Sequence, residues 1–141
     1  MGEKNMHIIV HADQSREQWR PDVVTRMIVS AEAGSRQLCL FEQWCEPGTG
    51  APTHHHAVEE VLTVLEGNAE VWLNEQRTSL DAGQSLIIPA GEAHGFTNVG
   101  SAPLHLQFVL ASPIFEAAYE DHRETPRRWR RTPRELRSNP D

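Results

Sequence analysis

Long hydrophobic runs are missing from this chain. No apolar stretch approaches the roughly 20 residues that cross a bilayer, and the opening segment MGEKNMHIIV lacks a signal peptide's apolar core. A soluble cytoplasmic protein with no membrane partner is therefore expected. Cysteine is scarce as well, with only Cys39 and Cys45. They fall six residues apart in one predicted strand, a separation of roughly 20 Å at a strand's rise and far beyond disulfide reach. Free thiols acting as small buried hydrophobes, in a reducing compartment, are expected.

Basic residues are the next shortage. The formal net charge is -7, and residues 1 to 115 hold 6 Lys or Arg against 14 Asp or Glu. That balance excludes a nucleic-acid surface on the body of the chain, because phosphate recognition needs a basic face. The one basic patch is Arg127, Arg128, Arg130 and Arg131 around Trp129, and Glu120, Asp121, Glu124 and Glu135 blunt it. Such a segment reads as a solvated or self-pairing tail. Between Leu38 and Leu110 the single cation is Arg77, near a predicted hairpin loop. Multiply anionic ligands are usually held by arginine forks or lysines, and here only Arg26 and Arg36, from preceding segments, are at hand. A neutral or singly anionic small organic molecule is the expected substrate.

Long helical periodicity is also absent, as is any internal repeat. Short β-rich runs separated by turn residues take its place, at His7 to His11, Val23 to Ser30, Gln37 to Cys45, Val61 to Leu65, Ala69 to Leu73, Arg77 to Leu80, Ser85 to Ile88, Gly95 to Asn98 and Leu104 to Leu110. This spacing predicts an all-β sandwich or barrel. Gly67-Asn68 and Asp81-Ala82-Gly83 read as tight turns. Pro89 and Gly91 suit positions two and four of a type I turn. Ser112-Pro113 predicts an N-cap and N1 pair opening a short helix to about Asp121. Past Thr125-Pro126 an extended tail is expected, removable without loss of the barrel except for Trp129 and Leu136, which have apolar surface to dock. The domain reading is one unit over 1–112, with the helix and tail in 113–141.

Two blocks stand out against this background. Residues 48–67 read GTGAPTHHHAVEEVLTVLEG, and residues 83–98 read GQSLIIPAGEAHGFTN. The first sets His54, His56, Glu60 and Gly67 at fixed intervals after Gly48; the second sets Pro89, Gly91, His94 and Asn98 after Gly83. Both patterns match, at every defining position, the two signature motifs of the cupin family, which this chain therefore resembles from Gly48 to Asn98. The resemblance implies a jelly-roll β-barrel, a homodimer, and one divalent transition metal per chain (Fe, Mn, Ni or Zn) held by His54, His56, Glu60 and His94.

Alternation on a strand supplies the physical reason. His54 and His56 point one way and His55 the other, and imidazole with carboxylate suits first-row divalent metals while leaving positions for water or substrate. His55 and Glu59 are expected to face away from the metal. The same parity puts Leu62, Val64 and Phe96 on the ligands' side as a substrate pocket. His105 and Gln107 alternate with Leu104, Leu106 and Phe108, so either set can face inward; an outward, hydrogen-bonded His105 is the expectation, and Trp44 and Trp72 stay open. Three function classes remain. The first, and the one expected, is a dioxygenase-type oxidation in which Glu60 serves as catalytic base, as resemblance to cupin dioxygenases implies. The others are a redox-neutral lyase, isomerase or cyclase using the metal as Lewis acid, and a non-enzymatic binder or sensor.

Overall fold

The computed structural model describes residues 6 to 129. Period-two alternation of apolar and polar residues gives each strand one face to bury. Thirteen strands form: β1 (Arg16–Arg20), β2 (Val23–Val29), β3 (Cys39–Cys45), β4 (Gly50–His55), β5 (Glu60–Glu66), β6 (Asn68–Leu73), β7 (Gln76–Asp81), β8 (Ser85–Ile88), β9 (His94–Asn98), β10 (Leu104–Leu110), β11 (Phe115–Glu116), β12 (Ala118–Tyr119) and β13 (Arg127–Arg128). They build a six-stranded sheet ordered β1-β2-β3-β10-β5-β8, a five-stranded sheet ordered β12-β4-β9-β6-β7, and a two-stranded pair β11-β13. All pairings are antiparallel.

The two large sheets enclose one core. Phe41, Leu62, Val64, Leu106, Phe108 and Leu110 come from the six-stranded sheet, and Ala51, Ala69, Val71 and Phe96 from the other. Phe41 stacks on Phe108 at 4.7 Å between ring centroids. β10 shows the alternation cleanly: Leu104, Leu106, Phe108 and Leu110 are buried, while His105, Gln107 and Val109 are only partly covered.

Four expectations need correction. The sheets are not closed into a barrel, because alternation demands only one buried face per strand, and two packed sheets supply that as well as a closed cylinder does. The C-terminal helix is absent. Ser112 Oγ does accept from the Ile114 N–H at 3.3 Å, but β11 pairs with β13 and β12 pairs with β4, so ladder bonds displace helical ones. The predicted strand from His7 to His11 is unpaired chain leading into a 3-10 turn at His11–Asp13, and the first strand is Arg16–Arg20 instead. The turn after β8 runs one residue later than expected: the Glu92 N–H donates to the Pro89 carbonyl at 3.2 Å, and Gly91 occupies its third position at φ +82°. A left-handed residue there is the type II pattern, which glycine adopts without strain. Among the described residues no helix is long and apolar enough to cross a membrane.

Candidate metal centre and cavity

The three histidines arrive from one sheet and the carboxylate from the other. His54 lies in β4, His56 just beyond its end, and His94 opens β9 directly opposite His54 in the ladder. Glu60 opens β5. The turn that delivers His94 is tied to the first motif, since the Gly91 N–H donates to the His56 carbonyl at 2.7 Å. Next to His94, Gly95 leaves room for the indole of Trp72; a Cβ there would fall 2.4 Å from Trp72 Cζ2.

One ligand atom from each of His54, His56, Glu60 and His94 lies within 4.8 Å of all the others, and all four residues are buried. His55 and Glu59 are exposed, as the alternation requires. Each imidazole is anchored through Nδ1 to a backbone carbonyl: His54 to Pro52 at 2.7 Å, His56 to Glu116 at 2.7 Å and His94 to Glu92 at 2.8 Å. An Nδ1–H donating to a carbonyl leaves Nε2 as the free lone pair, the arrangement of a metal-binding histidine. His56 Nε2 lies 3.6 Å and His94 Nε2 2.9 Å from the Glu60 carboxylate. Both are buried and lack a properly directed hydrogen bond. Lone pairs facing a buried carboxylate require a shared proton or a cation between them. The donor set therefore fits a divalent metal, and the anchoring carbonyls aim it.

Electrostatics agree. Burial, followed by repulsion from His94 and His56, pushes His54 down to about 3, so it is neutral. Burial acts to raise the Glu60 carboxyl, but the close approach of the His56 and His94 imidazoles outweighs it and holds the group down at about 2. His56 shows the reciprocal effect: burial acts to lower it, and Glu60 raises it overall.

A cavity adjoins the cluster; counted out to the open solvent at its mouth it spans about 310 Å³, and room for the centre of a water molecule is only about 20 Å³. That is just above what one water needs. Leu62 and Phe96 line it with His54, Glu60 and His94. Val64, also expected there, is fully buried in the core but outside the cavity wall. Much of the wall lay outside the sequence expectation. Trp19 and Arg20 come from the unexpected β1, Gln43 from β3, and Phe115 and Tyr119 from the segment expected to be helical. Gln43 carried a readable signal, being polar on the same side of β3 as Cys39, Phe41 and Cys45. Arg20, rather than Arg26 or Arg36, is the cation at the cavity. Its Nε donates to Glu124 at 2.7 Å and one terminal nitrogen to the Gly50 carbonyl at 3.1 Å.

His105 faces away from the cavity. It stacks on Trp44 at 4.7 Å and its Nε2 lies 2.9 Å from Glu42, which Arg26 also binds. Trp72 donates to Thr53 Oγ1 at 3.0 Å. Cys39 and Cys45 are free and buried. Trp129 packs on Trp19 at 5.1 Å; Leu136, Arg130, Arg131 and Glu135 lie outside the described residues.

Comparison with known proteins places this geometry. Residues 42–110 match the cupin domain family. Polyketide synthase CurC from Streptomyces cyaneus is 34% identical over 93 residues, covering 65% of this chain and 57% of that protein. Protein SchB from Streptomyces halstedii is 28% identical over 128 residues, covering 89% and 93%. The chain spans about half the length of several other curated relatives it matches. Among solved structures, the polyketide cyclase RemF from Streptomyces resistomycificus superposes with a TM-score of 0.69 at 20% identity, over 96% of this chain and 95% of that one.

Proposed function

The chain belongs to the cupin superfamily, and from that premise we propose that it is a metal-dependent enzyme that enolises a small carbonyl compound and closes it into a ring, without net oxidation. The observation that carries the reading is the buried convergence of His54, His56, Glu60 and His94 beside an aromatic cavity whose one cation, Arg20, is already paired with Glu124. The names of CurC and RemF, a polyketide synthase and a polyketide cyclase, support a carbonyl-rich substrate.

His54, His56, Glu60 and His94 would hold a divalent transition metal, which would supply Lewis-acid polarisation of a carbonyl oxygen. The protein does the rest. Glu60 stays ionised, so it accepts a proton from the carbon next to the carbonyl rather than donating one. The imidazoles of His54 and His94, fixed by the Pro52 and Glu92 carbonyls, hold their orientation. Phe96, Phe108 and Phe115 keep the cavity dry and press the chain of the substrate together. The α-carbon then bonds to a second carbonyl carbon, whose oxygen takes up the proton, and loss of water gives the unsaturated ring. A homodimer completes the reading.

The test uses 2,6-heptanedione, whose internal condensation yields 3-methylcyclohex-2-enone and water. Zn-, Mn-, Fe- and Ni-loaded protein is incubated with it under anaerobic conditions and the enone is quantified. Ring closure above the metal-only rate, lost in Glu60→Gln, is the expected result. The dioxygenase reading uses the same four residues and is favoured instead if a parallel aerobic incubation consumes oxygen matched to product with the redox-active metals only. Saturable binding without turnover under any metal favours the binder and overturns the proposal.

A further inference from the structure

Two residues that line the cavity each carry a buried polar atom without a hydrogen-bond partner. Trp19 is 9% exposed and its Nε1–H, an obligatory donor, is buried without an acceptor. Gln43 is 3% exposed; its Nε2 donates to Thr25 Oγ1 at 3.0 Å, while its Oε1, an acceptor, is buried without a donor. Both side chains line the cavity that also reaches Glu60, His54 and His94. Each orphan costs free energy in the empty protein, so a group that satisfies both gains binding on entering.

The missing pair is one donor and one acceptor, which is the complement of a hydroxyl, or of the hydroxyl and carbonyl of an enol. Charge does not enter the recognition, because Arg20, the cation of the cavity wall, is held by Glu124 through Nε at 2.7 Å and a terminal nitrogen at 2.5 Å. Flat aromatic walls from Phe41, Phe96 and Phe108 favour a planar, conjugated body between the two ends.

We propose that Trp19 Nε1 and Gln43 Oε1 form a hydroxyl-reading subsite on the β1 and β3 wall of the cavity, so that the substrate is a neutral phenol or enol with a second oxygen directed to the histidine and glutamate cluster. This rests on the cavity being the substrate site and adds to that reading the chemical class and the residues that select it.

The experiment measures dissociation constants of metal-loaded full-length protein by calorimetry with four probes of one skeleton: acetophenone and its 2-, 3- and 4-hydroxy derivatives. Wild type is expected to bind at least one hydroxy isomer about tenfold more tightly than acetophenone. Trp19→Phe keeps an aromatic ring at this position while removing the N–H together with part of the indole's volume; Gln43→Met keeps length and removes the carbonyl. Each is expected to bring the preference below about threefold, with the hydroxy isomer losing several-fold more affinity than acetophenone does. Equal binding of all four probes by wild type, as when a resident water already satisfies both atoms, overturns the proposal. So does equal weakening of all probes in the variants, and so does failure of all four to saturate. Failure here with ring closure of heptanedione intact removes the subsite and keeps the reaction; a hydroxyl preference without turnover does the reverse.

Discussion

Replacing His56 with alanine, beside the same change at His55, isolates the geometric claim on which the metal centre stands. The two residues are adjacent in HHH, yet His56 is 2% exposed with Nε2 facing Glu60 at 3.6 Å, while the His55 side chain lies in solvent. Apparent binding free energies for four-ligand zinc centres are about 10 to 16 kcal/mol. Shared evenly, one ligand carries about 2.5 to 4 kcal/mol, which is about 60- to 700-fold in affinity at 1.4 kcal/mol per decade. His56→Ala is therefore expected to weaken Zn or Mn binding by that factor, and His55→Ala by less than about twofold. Competition against a chelating indicator at about pH 7 reads both, with near-UV circular dichroism to show that each variant is folded. The anchoring bond from His56 Nδ1 to the Glu116 carbonyl, 2.7 Å, gives a second readout. His56→Gln should keep part of the fold's stability but not the affinity. If His55→Ala loses as much metal as His56→Ala, or if His56→Ala binds within tenfold of wild type, the four-residue centre is wrong.

The remaining predictions follow from burial, titration and the C-terminal strands. In the metal-free protein His54 is held near 3 against 6.5 in the unfolded chain, so its contribution is full above about 6.5 and is lost as pH falls toward 3; unfolding free energies from urea titrations should decline across that window by up to about 1.4 kcal/mol per pH unit, and His54→Gln should flatten the decline. Cys39 and Cys45 are buried with thiols pushed up to about 12, in both by burial first, so neither should react with a thiol reagent at about pH 8 until urea unfolds the chain, whereupon both should. Ending the chain at Thr125 removes the β13 ladder, the Trp129 contact with Trp19 and the Arg128 bond to Glu17; the melting temperature should fall and a hydrophobic dye should bind at the uncovered cavity, and an unchanged melt would show that this segment is dispensable.

Much of this protein is legible in its sequence because the controlling interactions are local. Strand alternation separates His54 and His56 from His55, and Glu60 from Glu59, since successive side chains on extended backbone must face opposite ways. Gly67, Gly83 and Gly91 mark turns because all three adopt positive φ, where only glycine is unstrained. The spacing of both motifs also brings His94 to His54, because the β4 to β9 register follows from the turns that bound those strands. What only the tertiary structure decided depends on partners far along the chain. Residues 115–119 have helix-starting chemistry at Ser112-Pro113, yet an available edge on β4 and the Arg127–Arg128 strand draw them into ladders, because paired backbone groups outweigh a local cap. Arg20 and Trp19 reach the cavity because β1 joins the edge of the six-stranded sheet, a pairing that five polar-leaning residues do not announce. Whether the sheets close into a barrel is likewise undetermined by alternation, which specifies a buried face but not the neighbour that buries it.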